Sequence, residues 1–339
     1  MSKASTFEMS RKTFIGGTVA VAAPYVLGAA GTEPKKGKLG KYVGTLVAGR
    51  YDAHIHVHPG EPDPDRLVKS FAEAGLVGGV VFSRSPYQRF FPKAKPQTPE
   101  EAVDNVIAWC SGSPSIYPFF FIDPAAPDAC EQVDMAVEKG IYGFKVIRGD
   151  GPPVDDQTIK AYRRMAFHDK PVTFHSGILW DGRDSSDYFR PAKWEGLLGV
   201  PHLRFALAHI SWPWCDECIA VYGKMLNAIK HHGNEVPEMF IDTTPGTPKI
   251  YRRDALAKVY TVGYDVLDHV TFGTDCNVNR YNVKWSTDWQ RTDSAILSEL
   301  GGSPETAKSY GSGALRRFLF GGGGTRTVPV TDGVIKSGT

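Results

Sequence analysis

Eight short apolar runs rich in β-branched and aromatic residues recur along the chain, at residues 51–57, 79–82, 117–122, 143–147, 171–175, 204–209, 239–242 and 270–274. They are spaced roughly 25 to 35 residues apart, the length of one strand–helix unit. Near-continuous apolar strands are buried on both faces, which calls for a parallel sheet clothed by helices. The intervening segments carry helix signals. Thr98-Pro99-Glu100-Glu101 is a capping box with proline at the first helical position, and it opens an apolar stretch to Trp109. Amphipathic stretches run from Asp155-Asp156 to near His168, from Ala129 to Lys139 before Gly140, and from Asp216 to His232. Eight such units predict an α/β chain folded as a closed (β/α)8 TIM barrel, parallel-stranded and in a single domain. An open sheet would want a Gly-rich first turn, and the sequence holds no G-x-G-x-x-G or Walker A string.

The ends of the chain read differently. Ser10-Arg11-Lys12-Thr13-Phe14-Ile15 precedes an apolar, Gly- and Ala-rich run to Gly31, the order of an export signal. The string is similar to a twin-arginine signal with Lys12 in place of the second arginine, so an exported, periplasmic protein is expected, with an uncleaved membrane anchor as the alternative. Residues 1–31 are thus read as signal, 32–47 as linker, 48–320 as the barrel and 321–339 as a Gly-rich flexible tail. No later segment approaches 18 unbroken apolar residues, so no membrane span is expected in the body. The net charge of +2 equals the charge of the first 30 residues, which leaves the body neutral. A neutral body gives no electrostatic case for nucleic acid. Five cysteines in 339 residues do not make a disulfide scaffold, and Cys215-x-x-Cys218 is left open between a disulfide and two buried thiols. A homodimer is left open as well.

A barrel gathers its chemistry at the C-terminal ends of its strands. Strand one closes with Asp52-Ala53-His54-Ile55-His56, and in a strand i and i+2 face the same way, so both imidazoles enter one cavity. Strand five ends in His175, strand six in His209 and strand eight in Asp275. Each of these alone has a structural explanation; together, in the one fold where these ends meet, they make a metal site. Strand four carries Lys145 within an apolar run, a buried cation in need of a carboxylate, a modification or a functional partner. His58 shares the parity of the histidine pair but falls in the loop before Pro59, and is read as lying outside the ligand set.

These motifs resemble the amidohydrolase superfamily, within the amidohydrolase-related group of metal-dependent barrel hydrolases. Asp52-x-His54-x-His56, Gly143-x-Lys145, Pro171-Val172-x-x-His175-x-Gly177, His209 and Phe272-Gly273-Thr274-Asp275 carry the resemblance, together with a segment at residues 310–318 similar to the family's closing helix. The resemblance implies that His54, His56, His175 and Asp275 hold one divalent metal, Zn²⁺ or Mn²⁺. It implies that His209 transfers protons or binds a second metal. In two-metal members a carbamylated lysine bridges the ions, and Lys145 stands at that place, so a second metal on a modified Lys145 is kept open.

The expected chemistry is hydrolysis of an amide, lactone or ester carbonyl of a small organic molecule, with the metal activating water and Asp275, His209 and Lys145 as catalytic residues. The alternative is a metal-dependent non-oxidative decarboxylase or hydratase of a small carboxylated ring or enol acid. That reaction needs a carboxylate clamp near the metal. Arg148 and Arg183 are the candidates for substrate binding, with Arg280 a third. A solute-binding barrel with a purely structural metal is the third class.

Overall fold

The computed structural model of the chain describes residue 46 and residues 48–322. The expected export signal, most of the linker and the tail from residue 323 lie outside the described residues. Among the described residues nine parallel strands form one sheet: β1 (Tyr51–His56), β2 (Gly78–Phe82), β3 (Ile116–Phe121), β4 (Gly143–Val146), β5 (Val172–Phe174), β6 (Arg204–Leu207), β7 (Glu238–Asp242), β8 (Val270–Thr271) and β9 (Cys276–Asn277). Their order is β8-β7-β6-β5-β4-β3-β2-β1-β9. The last two are the ends of a single eighth strand. Val270 and Thr271 pair with β7, and Cys276 and Asn277 pair with β1. Between them the Ala53 amide donates to the Phe272 carbonyl at 2.8 Å and the Asp275 amide to the His54 carbonyl at 3.0 Å, which closes the barrel.

Nine helices are present among the described residues: α1 (Pro64–Glu73), α2 (Pro99–Cys110), α3 (Ala129–Glu138), α4 (Thr158–Phe167), α5 (Cys215–His232), α6 (Lys249–Thr261), α7 (Val283–Glu299), α8 (Pro304–Lys308) and α9 (Ala314–Phe320). The capping box behaves as its sequence suggests. The Glu101 amide donates to Thr98 Oγ1 at 3.1 Å, and the Thr98 amide donates to the Glu101 carboxylate at 2.8 Å. α2 then buries Val103, Val106 and Trp109 against the barrel; losing the Thr98 hydroxyl costs about 1 kcal/mol. One unit departs from the expected pattern. Between β5 and β6 there is no α-helix but 3₁₀ turns at Ser186–Phe189 and Pro191–Gly199. Gly177, Gly182, Pro191, Gly196 and Gly199 interrupt any helical run there.

Two apolar layers hold the barrel. The outer one packs Ile55, Val81, Phe120, Phe144, Val172 and Phe205 of the strands against the helices. The inner one fills the barrel with Tyr51, Phe82, Phe119 and Phe240, and α9 plugs the base with Leu315, Phe318 and Leu319. Gly143 makes room for this filling, since a Cβ there would lie 2.4 Å from the Phe119 ring. At the base, buried Arg204 donates to the carbonyls of Phe318 at 2.8 Å and Leu319 at 3.2 Å, capping the C-terminal end of α9. No helix among the described residues is long and apolar enough to cross a membrane. Cys215 and Cys218 are free and buried.

Glu238 at the same rim accepts from His269 at 3.1 Å and from Arg317 at 2.5 Å. Burial pushes its carboxyl up, but these two partners outweigh it and hold the group at about 2, against 4.5 for an ordinary glutamate. A carboxyl depressed in the folded state stabilises above its unfolded pKa and loses that contribution as pH falls through the folded value, here from about 4.5 to about 2. The full contribution is of the order of 3 kcal/mol. Urea midpoints measured from pH 5 to pH 2.5 are therefore expected to fall more steeply for the native chain than for Glu238→Gln. Parallel slopes would show that the pair does not support the base.

Candidate metal centre and active site

The site begins with an irregularity in β1. Asp52 pairs with Gly79 but Ile55 with Val81, so β1 carries one extra residue across that interval. Ile55 then packs outward while His54 and His56 lie inside, their rings 4.8 and 5.2 Å from that of Phe82. His54 is fully buried, and its Nε2 lies 3.1 Å from His56 Nε2. The eighth strand brings in Asp275, whose Oδ1 is 3.6 Å from His54 Nε2 and 3.4 Å from His56 Nε2. Asp275 reaches this position through a left-handed backbone, with φ of 60°. His209 also has a positive φ, 64°, and so do Ile210 and Ser211 after it. Such conformations cost of the order of 1 kcal/mol or more for residues with a Cβ and persist where the surroundings impose them.

His54, His56 and Asp275 form a group whose ligand atoms all lie within 4.8 Å of one another. His175 and His209 face the same cavity. The His175 and His209 rings are 4.9 Å apart, and the His54 and His209 rings 5.3 Å apart. Lys145 is completely buried, with Nζ 5.0 Å from the Phe82 ring centre. All these groups, with His58, line one cavity of about 380 Å³. Much of its remaining wall is apolar and includes Phe90, Phe91, Phe121, Ile147, Trp180 and Trp212.

Asp242, at the end of β7, was not singled out from the sequence. Its Oδ2 accepts from His54 Nδ1 at 2.6 Å, and its Oδ1 accepts from the Thr244 amide at 2.8 Å and the Thr244 hydroxyl at 2.5 Å. The bond places the His54 proton on Nδ1 and leaves the Nε2 lone pair facing His56 and Asp275. Its signal was present all the same: a carboxylate at the C-terminal end of a strand, as for the residues that were found. Gly273 makes the approach possible, since a Cβ there would lie 2.1 Å from Thr244 Oγ1 and 2.8 Å from His54 Cβ. Behind Asp242, buried Arg252 donates twice to buried Asp293, at 2.8 and 2.7 Å, and once to the Thr243 carbonyl at 2.5 Å. Asp52, part of the first-strand motif but given no role of its own by the sequence, is the second supporting carboxylate. It accepts from the amides of His54 at 3.1 Å and Thr274 at 3.0 Å, and from the hydroxyls of Thr274 at 2.5 Å and Tyr281 at 2.8 Å.

The electrostatics suit ligation. Burial, reinforced for each ring by Lys145 and neighbouring histidines, holds His54, His56 and His175 well below the ordinary imidazole value, so all three are neutral at pH 7. His209 is lowered to about 4 by burial and by Lys145. Partial withdrawal from water raises the Asp275 carboxyl above its ordinary range, although Lys145 acts in the opposite direction. Burial lowers Lys145 to about 8. Lys145 Nζ, His175 Nε2 and His209 Nδ1 are buried without a hydrogen-bond partner among the described residues, a costly state in a dry interior. Neutral nitrogens and a carboxylate oxygen facing one another at 3.1 to 3.6 Å repel unless a proton or cation lies among them. The donor set fits a divalent cation.

The structure does not bring the candidate clamp into this cavity. Arg148 is held by Asp155 at 3.0 Å, and Arg183 by Asp181 at 2.8 Å and by Asp150. Neither lines the cavity, and nor does Arg280. Nearby acids in the same loops claim the two guanidiniums, a pairing that spacing alone does not reveal. His58 stands on the cavity wall against Phe91, with ring centres 5.1 Å apart, and outside the three-residue group. Asp242→Asn is expected to weaken Zn²⁺ retention in competition with a chelator by 10- to 100-fold, of the order seen for second partners of ligating histidines, without lowering the melting temperature of the metal-free protein by more than a few degrees. Unchanged retention would remove Asp242 from the site.

Among solved structures, the chain is similar to a "putative amidohydrolase" from Staphylococcus aureus, at 12% identity over 80% of this chain and 99% of that one, with a TM-score of 0.53. An amidohydrolase 2 from Bifidobacterium longum subsp. infantis matches at 16% identity over 81% and 99%, and a dihydroorotase from Campylobacter jejuni at 13% over 79% and 82%, each with a TM-score of 0.49. No protein-family model matches the chain, and no curated protein matches it in sequence. At such identities the likeness is one of fold, and function rests on the site. The fold of this chain is a (β/α)8 barrel.

Proposed function

We propose that the protein belongs to the amidohydrolase superfamily and is a metal-dependent hydrolase acting on an amide, lactone or ester carbonyl of a small organic molecule. The observation that carries this reading is the convergence of His54 Nε2, His56 Nε2 and Asp275 Oδ1 within 3.1 to 3.6 Å of one another on the wall of an apolar cavity. His175 completes the ligand set. Three imidazoles and a carboxylate suit Zn²⁺ first and Mn²⁺ second. A divalent cation held there lowers the pKa of water from 15.7 towards about 7 and polarises a carbonyl oxygen.

The chain's own groups supply the rest. Asp275 accepts a proton from the attacking water, its carboxylate standing beside the two histidines of the first strand. Lys145, buried in the same cavity, points a nitrogen donor at the carbonyl oxygen as negative charge develops. Neutral His209 carries the proton on to the leaving group. The apolar wall excludes water from the remainder of the substrate. Burial that lowers Lys145 also raises its neutral fraction, the form that carbamylation requires, and this supports a second metal as the variant of the same reading.

The cavity favours hydrolysis over decarboxylation. A decarboxylase needs a clamp for the carboxylate it removes, yet Arg148 and Arg183 are spent on Asp155, Asp150 and Asp181, and Lys145 is the one lysine or arginine among the cavity-lining residues described. Chelation is expected to abolish turnover and added Zn²⁺ or Mn²⁺ to restore it; full activity after metal stripping contradicts the reading. Asp275→Asn is expected to lower kcat by at least 100-fold with the fold intact by circular dichroism. Release of CO₂ in place of consumption of water would transfer the assignment to the decarboxylase.

A further inference from the structure

The cavity is chemically divided. The imidazoles of His54 and His175 and the Lys145 ammonium lie at its buried end, while its open end is built from large aromatic rings. Trp180, in the loop after β5, and Trp212, in the loop after β6, both line it. Their rings are nearly parallel, with 15° between planes and centres 6.5 Å apart. Trp212 is in turn stacked on Tyr251 of α6, at 29° and 6.3 Å. The two loops are tied together by their backbones, the Ile178 amide donating to the Trp212 carbonyl at 2.9 Å. Gly177 permits the contact: its φ is +103°, and a Cβ would lie 2.5 Å from the Trp212 carbonyl oxygen. Trp180 nevertheless remains 79% exposed. A tryptophan aligned with a second ring and left in water gains strongly when a flat apolar group covers it.

Charge narrows the occupant. The one lysine or arginine of the described cavity wall, Lys145, sits at the buried end, so an anionic group at the tryptophans would find no partner there. We propose that Trp180 and Trp212 form an outer subsite that stacks a flat, uncharged aromatic portion of the substrate while its reactive carbonyl reaches the imidazole cluster. The identity of the inner group rests on the hydrolase reading; the stacking does not.

The test is calorimetric titration of the full-length protein with 2-naphthol, alongside decahydro-2-naphthol as a control of similar bulk without a flat ring and methyl β-D-glucoside as a sugar. Binding of 2-naphthol is expected, weakened about threefold to tenfold by Trp180→Ala and largely kept by Trp180→Phe. Decahydro-2-naphthol is expected to bind at least threefold more weakly and to be indifferent to Trp180→Ala. Because Trp180 is mostly exposed, its truncation leaves the core untouched. No binding of 2-naphthol, equal affinity in Trp180→Ala, or preference for the glucoside would overturn the subsite. The same titration on Asp275→Asn separates the two claims: retained naphthol binding there supports the subsite whether or not the native protein hydrolyses anything, and lost binding counts against it.

Discussion

The site depends on the junction between the first strand and the eighth. Asp52 accepts the backbone amides of both His54 and Thr274 and two hydroxyls besides, so one buried carboxylate clamps the strand that carries the histidine pair to the segment that carries Asp275. Burial alone drives this carboxyl up, to about 7, and the four donors act against it. Leaving any of them unmatched in the interior costs of the order of 1–3 kcal/mol. The same junction closes the barrel, since the Asp275 amide donates to the His54 carbonyl. Fold closure and assembly of the candidate metal centre are therefore one event. The left-handed backbone at Asp275 is what lets the chain leave β8, present a carboxylate inward and rejoin the sheet as β9.

A second line of support runs from the opposite side. Asp242 orients His54, Thr244 orients Asp242, and the buried Arg252–Asp293 pair holds the Thr243 carbonyl between them. Tyr310, near the C-terminal helix, donates to Asp293 at 2.7 Å and joins that network to the base of the barrel. A buried ion pair is weak evidence of net stability, because desolvation offsets much of its attraction. Its value here is positional. A histidine oriented from behind by a buried carboxylate already presents its free nitrogen to the cavity.

Much of this was legible in the sequence because two periodicities coincide. Strand spacing identified the barrel, and strand parity placed His54 and His56 on one face; His175, His209 and Asp275 followed from being the terminal residues of apolar strands. Asp242 met the same criterion at β7 and was passed over, since nothing in its neighbourhood repeats the histidine pattern. Asp52 was quoted as part of a motif, but its partners Thr274 and Tyr281 lie more than 200 residues away and only folding reveals them. Arg148 and Arg183 show the converse limit. A loop arginine near a strand end reads as a substrate clamp until the acids that claim it are located in space. The missing helix between β5 and β6 follows from glycine and proline spacing, which favours turns there and leaves the loop free to carry Trp180.

The central claim is that one divalent cation belongs among His54, His56, His175 and Asp275. The most direct measurement is anomalous X-ray scattering at the zinc edge from crystals of the protein grown with Zn²⁺. A single strong peak within bonding distance of His54 Nε2 and Asp275 is the result expected. A peak only elsewhere on the molecule, or none with these side chains well ordered, would contradict the account.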